Sequence, residues 1–189
     1  MRVISGLARG RKLKEPAGFD IRPTSSMVKE SVFNIIQFDI EGRRVLDLFA
    51  GTGQLGIEAL SRGAKSVVFV DSSLQATRLI RENLKLCGFL DLAAVLARDA
   101  FKYLRGSEKF DIILSDPPYD AQLMCKTLKS IIEFDKLNTN GIIICETTVD
   151  SPTPDVSPPY FMQKEYVYGS VKIVRYERDS LHHRHQACE

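Results

Sequence analysis

The chain has 189 residues, of which 44% are hydrophobic and 26% charged, and its formal net charge is +2. This length and composition predict one globular domain that is large enough to bury a core. They exclude a membrane-spanning protein, because no apolar run approaches the length of a transmembrane helix, and the first residues lack the apolar core of a signal peptide.

The cysteine pattern predicts a reduced, cytoplasmic protein. The four cysteines show no paired spacing that would indicate a disulfide framework. We therefore expect Cys87, Cys125 and Cys145 to be small core residues.

Positive charge is concentrated at the N-terminus. Residues 1–30 contain seven Lys or Arg against three Asp or Glu, a net of +4, so the remainder carries a net charge of −2. A basic segment on a slightly acidic body favours an anionic partner, nucleic acid first, over a solvated terminal arm.

Two short strands are predicted in this basic segment, at 2–5 and 11–14, joined by a turn at 6–10. Such a hairpin would bring together four basic side chains that can contact RNA phosphates: Arg9, Arg11, Lys12 and Lys14. A helix from Ser26 to Phe38 follows, with Thr24 or Ser25 as its cap. Its apolar stripe consists of Val28, Val32, Ile35 and Ile36, and Lys29 lies outside this stripe.

A strand, a glycine turn and a helix are predicted in succession at 45–49, 50–53 and 54–62. This order is typical of a nucleotide-binding βαβ unit, in which glycines let a ligand approach the backbone. The turn fits the G-x-G-x-x-G pattern of a dinucleotide site, with an acid about 20 residues further on, through Gly51, Gly53, Gly56 and Asp71.

Asp47 favours one ligand class over another for this turn. It lies inside the strand, four residues before the first glycine. A carboxylate there would repel the pyrophosphate of NAD and attract the sulfonium and ammonium groups of S-adenosylmethionine. The pattern therefore favours a methyl donor, and a glycine turn without a ligand is the alternative.

Two further strand ends carry acids. The strand at 66–70 leads to Asp71, which can accept hydrogen bonds from both ribose hydroxyls of an adenosine or cap the helix at 74–86. The strand at 92–97 leads to Asp99, and this carboxylate together with the backbone amide of Ala100 could contact the adenine edge. Phe101 could cover the adenine ring or be a core aromatic residue.

The strand at 110–115 continues directly into Asp116-Pro117-Pro118-Tyr119. Consecutive prolines fix an extended turn and remove two backbone donors, so the nearby carbonyls stay free to accept. Acceptors from Asp116 and Pro117 beside the flat face of Tyr119 suit the exocyclic amine of a base. A rigid surface turn is the alternative interpretation.

The rest of the chain completes an α/β pattern. A helix is predicted at 122–134, a strand at 142–146 after the Asn140-Gly141 turn, and an antiparallel hairpin at 160–168 and 170–177. Alternating strands and helices predict a mostly parallel sheet that is covered on both faces. All the candidate site residues would then lie at the carboxyl ends of strands, where such sheets bind their ligands.

The predicted domain organisation is a basic arm at 1–20, a methyltransferase domain at 21–178 and a disordered or appended tail at 179–189. The tail contains all three histidines, which are His182, His183 and His185. No Asp or Cys stands at ligand spacing in the body, so we expect no metal site.

Three blocks of this sequence resemble the bacterial RsmD family of 16S ribosomal RNA guanine-N(2) methyltransferases. They are Arg22-Pro-Thr with Lys29-Glu30 and Phe33-Asn34, then D-L-F-A-G-T-G-x-L-G-I-E-A-L-S-R-G-A at 47–64, and S-D-P-P-Y at 115–119. Ser115 stands where the family commonly has a bulkier residue, and the last nine residues match nothing in the family.

This resemblance implies a class I, Rossmann-like methyltransferase fold of seven strands with the last antiparallel, S-adenosylmethionine as donor, and a 16S ribosomal RNA or assembled small subunit as partner. It implies an acceptor site of Asp116, Pro117 and Tyr119, and a donor site of Asp47, Gly51, Gly53, Asp71, Asp99 and Ala100. We expect a cytoplasmic monomer without a membrane partner.

Three other functions stay open at this point. An amino-methyltransferase acting on adenine in DNA or on protein glutamine would use the same D-P-P-Y motif. An NAD-dependent oxidoreductase would use the same glycine turn, but no catalytic Tyr-Lys pair is evident. A catalytically silent RNA-binding module would tolerate the loss of Asp47 and Asp116.

Overall fold

A computed structural model describes residues 1–15, 26–118 and 121–180 of the chain. In chain order its elements are α1 (Ser26–Ile35), β1 (Arg44–Leu48), α2 (Gln54–Ser61), β2 (Ser66–Asp71), α3 (Leu74–Cys87), β3 (Ala93–Ala97), α4 (Ala100–Leu104), β4 (Phe110–Ser115), α5 (Ala121–Glu133), β5 (Leu137–Thr148), β6 (Tyr160–Tyr168) and β7 (Val171–Arg178). A turn of 3₁₀ helix at Leu90–Leu92 precedes β3. Among the described residues, no helix has both the length and the apolar character that crossing a membrane requires.

The strands form one seven-stranded sheet in the order β3-β2-β1-β4-β5-β7-β6. Strands β1 to β5 run parallel, whereas β7 is antiparallel to both β5 and β6. The predicted α/β fold with an antiparallel last strand is confirmed. Leu48 lies opposite Val70 and Ser115, and Asp71 lies opposite Ala97, so the carboxyl ends of four strands meet at one edge.

Each face of the sheet is covered by its own apolar cluster. The first cluster takes Val45 from β1 and is closed by residues of α1, α2 and α3, and the second takes Leu46 and Leu48 and is closed by α4 and α5. Side chains alternate between the two faces of a strand, so Asp47 belongs to the face of Val45. Strands β1, β2 and β4 carry near-continuous apolar runs and are buried along most of their length, as is typical of parallel strands that are covered on both faces.

The predicted N-terminal hairpin is not confirmed as a pair of strands. Arg2 and Lys12 form a single antiparallel bridge, and the amide of Val3 donates to the carbonyl of Arg11 at 3.0 Å. The segment packs on the sheet domain instead of extending as two regular strands, because its apolar residues join the first cluster: Val3, Ala8 and Leu13. Four of its backbone amides donate to side chains of α2 and α3.

Three smaller expectations are corrected. Helix α1 ends at Ile35 and not at Phe38, and Lys29, which lies outside its apolar stripe, is only 1% exposed. The Lys29 ammonium donates to the carbonyl of Arg2 at 2.8 Å, so a partner distant in sequence explains its burial. Strand β5 begins at Leu137, five residues before the predicted start.

The cysteines do not all lie in the core. Cys145 is fully buried, Cys87 is half-buried against the first cluster, and Cys125 is half-buried beside a surface cavity. The prediction that all three are core residues is therefore wrong for Cys125.

Candidate active site

The glycine turn between β1 and α2 places its three glycines under different constraints. Among the described residues, a Cβ on Gly51, where φ is +52°, would meet only the carbonyl oxygen of Phe49 at 3.9 Å. A Cβ on Gly53 would lie 3.0 Å from the Ile80 side chain, and one on Gly56 would lie 2.2 Å from the Phe69 ring. Gly51 is therefore the glycine that leaves room for a ligand, and Gly56 is needed for packing.

Asp47 is a buried carboxylate beneath this turn. It is 1% exposed, and its Oδ2 accepts a hydrogen bond from the Gly56 amide at 2.9 Å. Burial raises the pKa of Asp47 well above its ordinary value, the Gly56 hydrogen bond lowers it, and the charges of Asp116 and Asp71 raise it further. A buried carboxylate in this setting favours a cation as its neighbour.

Asp71 fixes the glycine turn from the end of β2. Its Oδ2 accepts from the Gly51 amide at 2.8 Å, and its Oδ1 accepts from the Ser73 amide at 2.8 Å. The helix cap is Ser73, whose hydroxyl accepts from the Ala76 amide, so Asp71 is not the capping residue of α3. Each carboxylate oxygen has a second lone pair, so both can still accept from ribose hydroxyls.

Asp99 and Ala100 lie at the end of β3. Asp99 is exposed and caps α4 by accepting from the Lys102 amide at 2.9 Å. Ala100 is buried, and its small side chain joins the second apolar cluster. The Arg98 amide donates to the Asp71 carbonyl at 2.9 Å, which ties this loop to the end of β2.

Phe101 is not a core aromatic residue. It belongs to neither apolar cluster and lines a cavity of about 680 Å³ on the outer side of α4 and α5. The Lys126 ammonium lies 4.3 Å from the centre of its ring. The structure therefore excludes the interpretation of Phe101 as a core aromatic residue.

The acceptor motif begins where β4 ends. Asp116 is half-buried, Pro117 is buried and Pro118 is exposed, whereas Tyr119 lies outside the described residues. Because Ser115 is paired with Leu48, Asp116 lies at the same edge as the end of β1, and its charge acts on Asp47. The structure therefore brings the candidate donor and acceptor carboxylates together.

Two other features of the same edge were missed by sequence reasoning. The Ser115 hydroxyl, directly before the acceptor motif, is buried and has no hydrogen-bond partner among the residues that the structure describes. Glu146 is 4% exposed and follows Cys145, the residue that pairs with Ser115, so it stands level with Asp116. A single acid directly after the apolar run 142–145 is the signal that could have identified Glu146.

Asn83 was also missed. It is fully buried in α3, where its Nδ2 donates to the carbonyls of Thr52 and Lys14 at 3.2 Å each and its Oδ1 accepts from the Lys14 amide at 2.8 Å. It thus joins the glycine turn to the basic N-terminal segment. No local pattern distinguishes it from a solvated helical asparagine.

The four predicted RNA-contacting residues differ in their surroundings. Arg9, Arg11 and Lys12 are exposed, whereas Lys14 forms an ion pair with Glu82 at 2.7 Å. The segment lies beside the site, since the Thr52 hydroxyl is 3.4 Å from the Met1 sulfur. Its role in binding RNA stays a prediction. Arg22, Thr24 and the three histidines of the tail lie outside the described residues.

Comparison with known proteins was made by sequence and by structure. A family described as "Conserved hypothetical protein 95" matches residues 1–177. The chain is 40% identical to "Putative rRNA methyltransferase YlbH" of Bacillus subtilis, covering 94% of this chain and 99% of that protein. It is 34% identical to "Ribosomal RNA small subunit methyltransferase D" of Haemophilus influenzae, covering 94% and 93%.

Solved structures give the same picture of the fold. "Putative methyltransferase yhhF" of Escherichia coli superposes with a TM-score of 0.85 at 31% identity, covering 95% of this chain and 98% of that one. A more distant structure, described as a putative methyltransferase complexed with SAH, has a TM-score of 0.67 at 19% identity over 79% of this chain and 49% of that one. That complex demonstrates only that the fold is shared.

The family match and these relatives both extend over nearly the whole described chain. The chain belongs to the RsmD family of bacterial small-subunit ribosomal RNA methyltransferases.

Proposed function

We propose that this protein transfers a methyl group from S-adenosylmethionine to the exocyclic N2 amine of one guanine in 16S ribosomal RNA. The observation that carries the proposal is the meeting of Asp47, Asp71 and Asp116 at one edge of the sheet, where the charges of the latter two raise the pKa of the first. Carboxylates attract a cationic donor and accept hydrogen bonds from an amine, but they repel the pyrophosphate of a dinucleotide.

The donor fits the residues at the ends of β1, β2 and β3. Asp47 faces its cationic end, and the space beside Gly51 admits it without a Cβ clash. Asp71 accepts from the ribose hydroxyls, while Asp99 and the Ala100 amide contact the adenine edge. When bound, S-adenosylmethionine supplies an electrophilic methyl group on a sulfonium that leaves as a neutral thioether.

The acceptor amine is oriented by the motif that follows β4. Its lone pair is delocalised into the base, which makes it a poor nucleophile. Asp116 and the Pro117 carbonyl accept its two N–H groups, which favours a pyramidal nitrogen and directs the lone pair towards the methyl carbon. Alignment of this kind contributes about 7–11 kcal/mol.

Removal of the proton from the methylated amine does not require a specialised catalytic group. The nitrogen–carbon bond forms as the carbon–sulfur bond breaks, and the amine then carries one proton too many. Asp116 accepts that proton or passes it to water, and no strong general base is needed. Tyr119 stacks on the extruded base, which contributes about 1–3 kcal/mol.

The D-P-P-Y motif accepts an adenine amine as readily as a guanine amine, so the motif alone does not select the base. The choice of guanine in ribosomal RNA is supported by the family. Two curated relatives are named as ribosomal RNA methyltransferases. The exposed side chains of Arg9, Arg11 and Lys12 supply phosphate contacts near the site. A ribosomal substrate puts the reaction in the cytoplasm, and a site formed at one edge of one sheet needs only a monomer.

A transfer assay tests this function. Purified protein is incubated with S-adenosylmethionine carrying a labelled methyl group and with small subunits or 16S ribosomal RNA from a strain that lacks this gene. We expect label in the RNA with the wild-type chain and no label with Asp116→Ala, although calorimetry should still detect donor binding to that variant. Turnover by Asp116→Ala would overturn the proposal. So would binding of NAD by the protein in place of S-adenosylmethionine.

A further inference from the structure

A groove lies on the outer side of α4 and α5, and Pro152 of the loop between β5 and β6 also lines it. Its volume is about 680 Å³, within the range of pockets that hold nucleotide-sized ligands. We call it the α4–α5 groove and define it by the side chains that the argument uses: Phe101, Arg105, Lys126, Lys129, Glu133 and Phe134.

The α4–α5 groove includes residues near the start of both helices, Phe101 of α4 and Gln122 of α5. Helix α4 starts at Ala100, directly after Asp99, and α5 starts at Ala121, three residues after Pro118. The first residues of both helices therefore follow the proposed donor and acceptor loops. Both helices cover the same face of the sheet, through the second apolar cluster. An RNA strand that leaves the acceptor site along these helices would enter the groove.

The groove carries an excess of positive charge. Arg105, Lys126 and Lys129 face a single acid, Glu133. In the part of the chain that the structure describes, no carboxylate lies within ion-pairing distance of any of these three cations. Elsewhere in the body, Arg44 pairs with Glu108. The groove thus favours an anionic ligand with several charges.

Aromatic surface accompanies this charge. Phe101 is partly exposed, and the Lys126 ammonium covers its ring at 4.3 Å. Phe134 lines the same groove while it packs on the second cluster. Stacking rings beside cations are the combination that binds single-stranded nucleic acid, since the ring takes the base and the cations take the phosphates. Lys126 is long and exposed, so its ammonium can move from the ring to a phosphate.

We propose that the α4–α5 groove holds the single-stranded RNA next to the target nucleotide. This proposal rests on the proposed function, because it assigns the path of the same RNA substrate away from the acceptor site. A base stacks on Phe101, and the adjoining phosphates contact Lys126 and Lys129, with Arg105 across the groove. The contacts add affinity and orientation and are made to RNA that does not react.

A double charge reversal tests the groove. Lys126→Glu with Lys129→Glu changes two exposed side chains that are not among the proposed donor or acceptor residues. With 16S ribosomal RNA as the probe, we expect the KM for RNA to rise roughly tenfold or more, with kcat and the calorimetric affinity for S-adenosylmethionine unchanged. Loss of two phosphate contacts should reduce the magnitude of the negative slope of log affinity against log salt by about 1.4.

The matched control carries the same change in charge elsewhere. Lys65→Glu with Lys164→Glu alters two exposed lysines, one in the loop before β2 and the other on the edge strand β6. We expect the control to keep the wild-type KM and nearly the wild-type salt slope. Thermal unfolding of both variants shows whether the fold is intact, and Lys126→Gln with Lys129→Gln is the milder alternative.

Hydrogen exchange provides a readout that does not depend on turnover. RNA should slow the exchange of amides in 121–133 in the wild-type chain but not in the Lys126→Glu, Lys129→Glu variant. An unchanged KM and salt slope, or protection of 121–133 that survives the charge reversal, would contradict the groove. If the wild-type chain binds RNA with this protection but transfers no methyl group to it, the proposed function fails and the groove does not.

Discussion

The Asn83 side-chain amide donates to the carbonyl of Thr52 at 3.2 Å, and the same amide group also bonds Lys14 in both directions. One buried residue of α3 thereby fixes both the glycine turn and the end of the basic segment. The turn contacts the donor in our proposal and the segment contacts the RNA. In that proposal, Asn83 is a positioning residue that joins the donor site to the RNA-contacting segment.

Replacement of this residue should affect stability and donor affinity together. Asn83→Ala leaves the buried Thr52 carbonyl and the partly buried Lys14 backbone groups without this partner, so we expect the free energy of unfolding to fall by about 1–3 kcal/mol. We also expect weaker binding of S-adenosylmethionine, because the turn loses its support. Urea unfolding and calorimetry measure the two effects.

Asn138→Ala is the matched control for Asn83. It removes a hydrogen bond of 2.8 Å to Asp111, near the opposite edge of the sheet. A modest loss of stability with unchanged donor affinity is expected there. If Asn83→Ala binds the donor as tightly as the control does, Asn83 has only a structural role.

The raised pKa of Asp47 predicts how the unliganded protein responds to pH. The folded chain holds this proton more tightly than the unfolded chain, so stability falls as the pH rises from the ordinary value of 3.8 through the folded-state pKa. Asp47→Asn removes the penalty and keeps an oxygen for the Gly56 amide. We therefore expect the variant to have a higher Tm than the wild type at neutral pH.

Asp47→Asn should also weaken the binding of S-adenosylmethionine. Removal of one charge from a pair at contact distance predicts a loss of roughly tenfold or more in affinity. In the wild-type chain, affinity should rise with pH until Asp47 is ionised, because the cation favours the ionised form. Calorimetry across pH measures this rise. A variant that keeps both wild-type affinity and its pH dependence would exclude a contact between Asp47 and the cation.

The glycines of the turn should separate packing from binding. A Cβ on Gly56 would overlap the Phe69 ring at 2.2 Å, so we expect Gly56→Ala to lower stability by about 1–3 kcal/mol. Gly51→Ala meets no neighbour closer than 3.9 Å in the part of the chain that the structure describes, but residue 51 has a positive φ, which costs about 1–2 kcal/mol with a Cβ present. Its Cβ enters the proposed donor space, so donor affinity should fall more in Gly51→Ala than in Gly56→Ala. The reverse order, measured by calorimetry on folded protein, would place the donor elsewhere.

The basic segment should contribute to RNA affinity through charge. Arg9, Arg11 and Lys12 are exposed, so their joint change to Ala should leave stability nearly unaltered. Loss of three phosphate contacts should reduce the magnitude of the negative slope of log affinity against log salt by about 2. Filter binding of 16S ribosomal RNA at several salt concentrations measures it. A slope equal to that of the wild type would show that the segment does not touch the RNA.

The sheet and its ligand edge were predictable because their signals are local. Val45 to Leu48 and Phe110 to Ser115 are apolar runs that end in a turn motif, and parallel strands bring such ends to one edge. The alternating segments predicted the final hairpin, and the family resemblance implied that the last of seven strands is antiparallel; the position of β7 between β5 and β6 was not predicted. Asp47 and Asp116 could therefore be assigned to one site before any coordinates.

The supports of the site were not predictable, because their partners are distant in sequence. Glu58 is completely buried in α2, where its carboxylate accepts from the amides of Ile4 and Ser5 and pairs with Arg62 at 2.9 Å. Lys29 is buried for a related reason, with its ammonium 3.6 Å from that carboxylate. In a helical pattern such residues are typical of a solvated face, and only the docked N-terminal segment explains them.

The identity of the methylated nucleoside is the most direct measure of the central claim. Small-subunit RNA labelled by the wild-type chain is digested to nucleosides and analysed by mass spectrometry. The account predicts that the label is recovered as N2-methylguanosine, at one position of the 16S ribosomal RNA. Label in N6-methyladenosine, in a ribose or in ribosomal protein would contradict it.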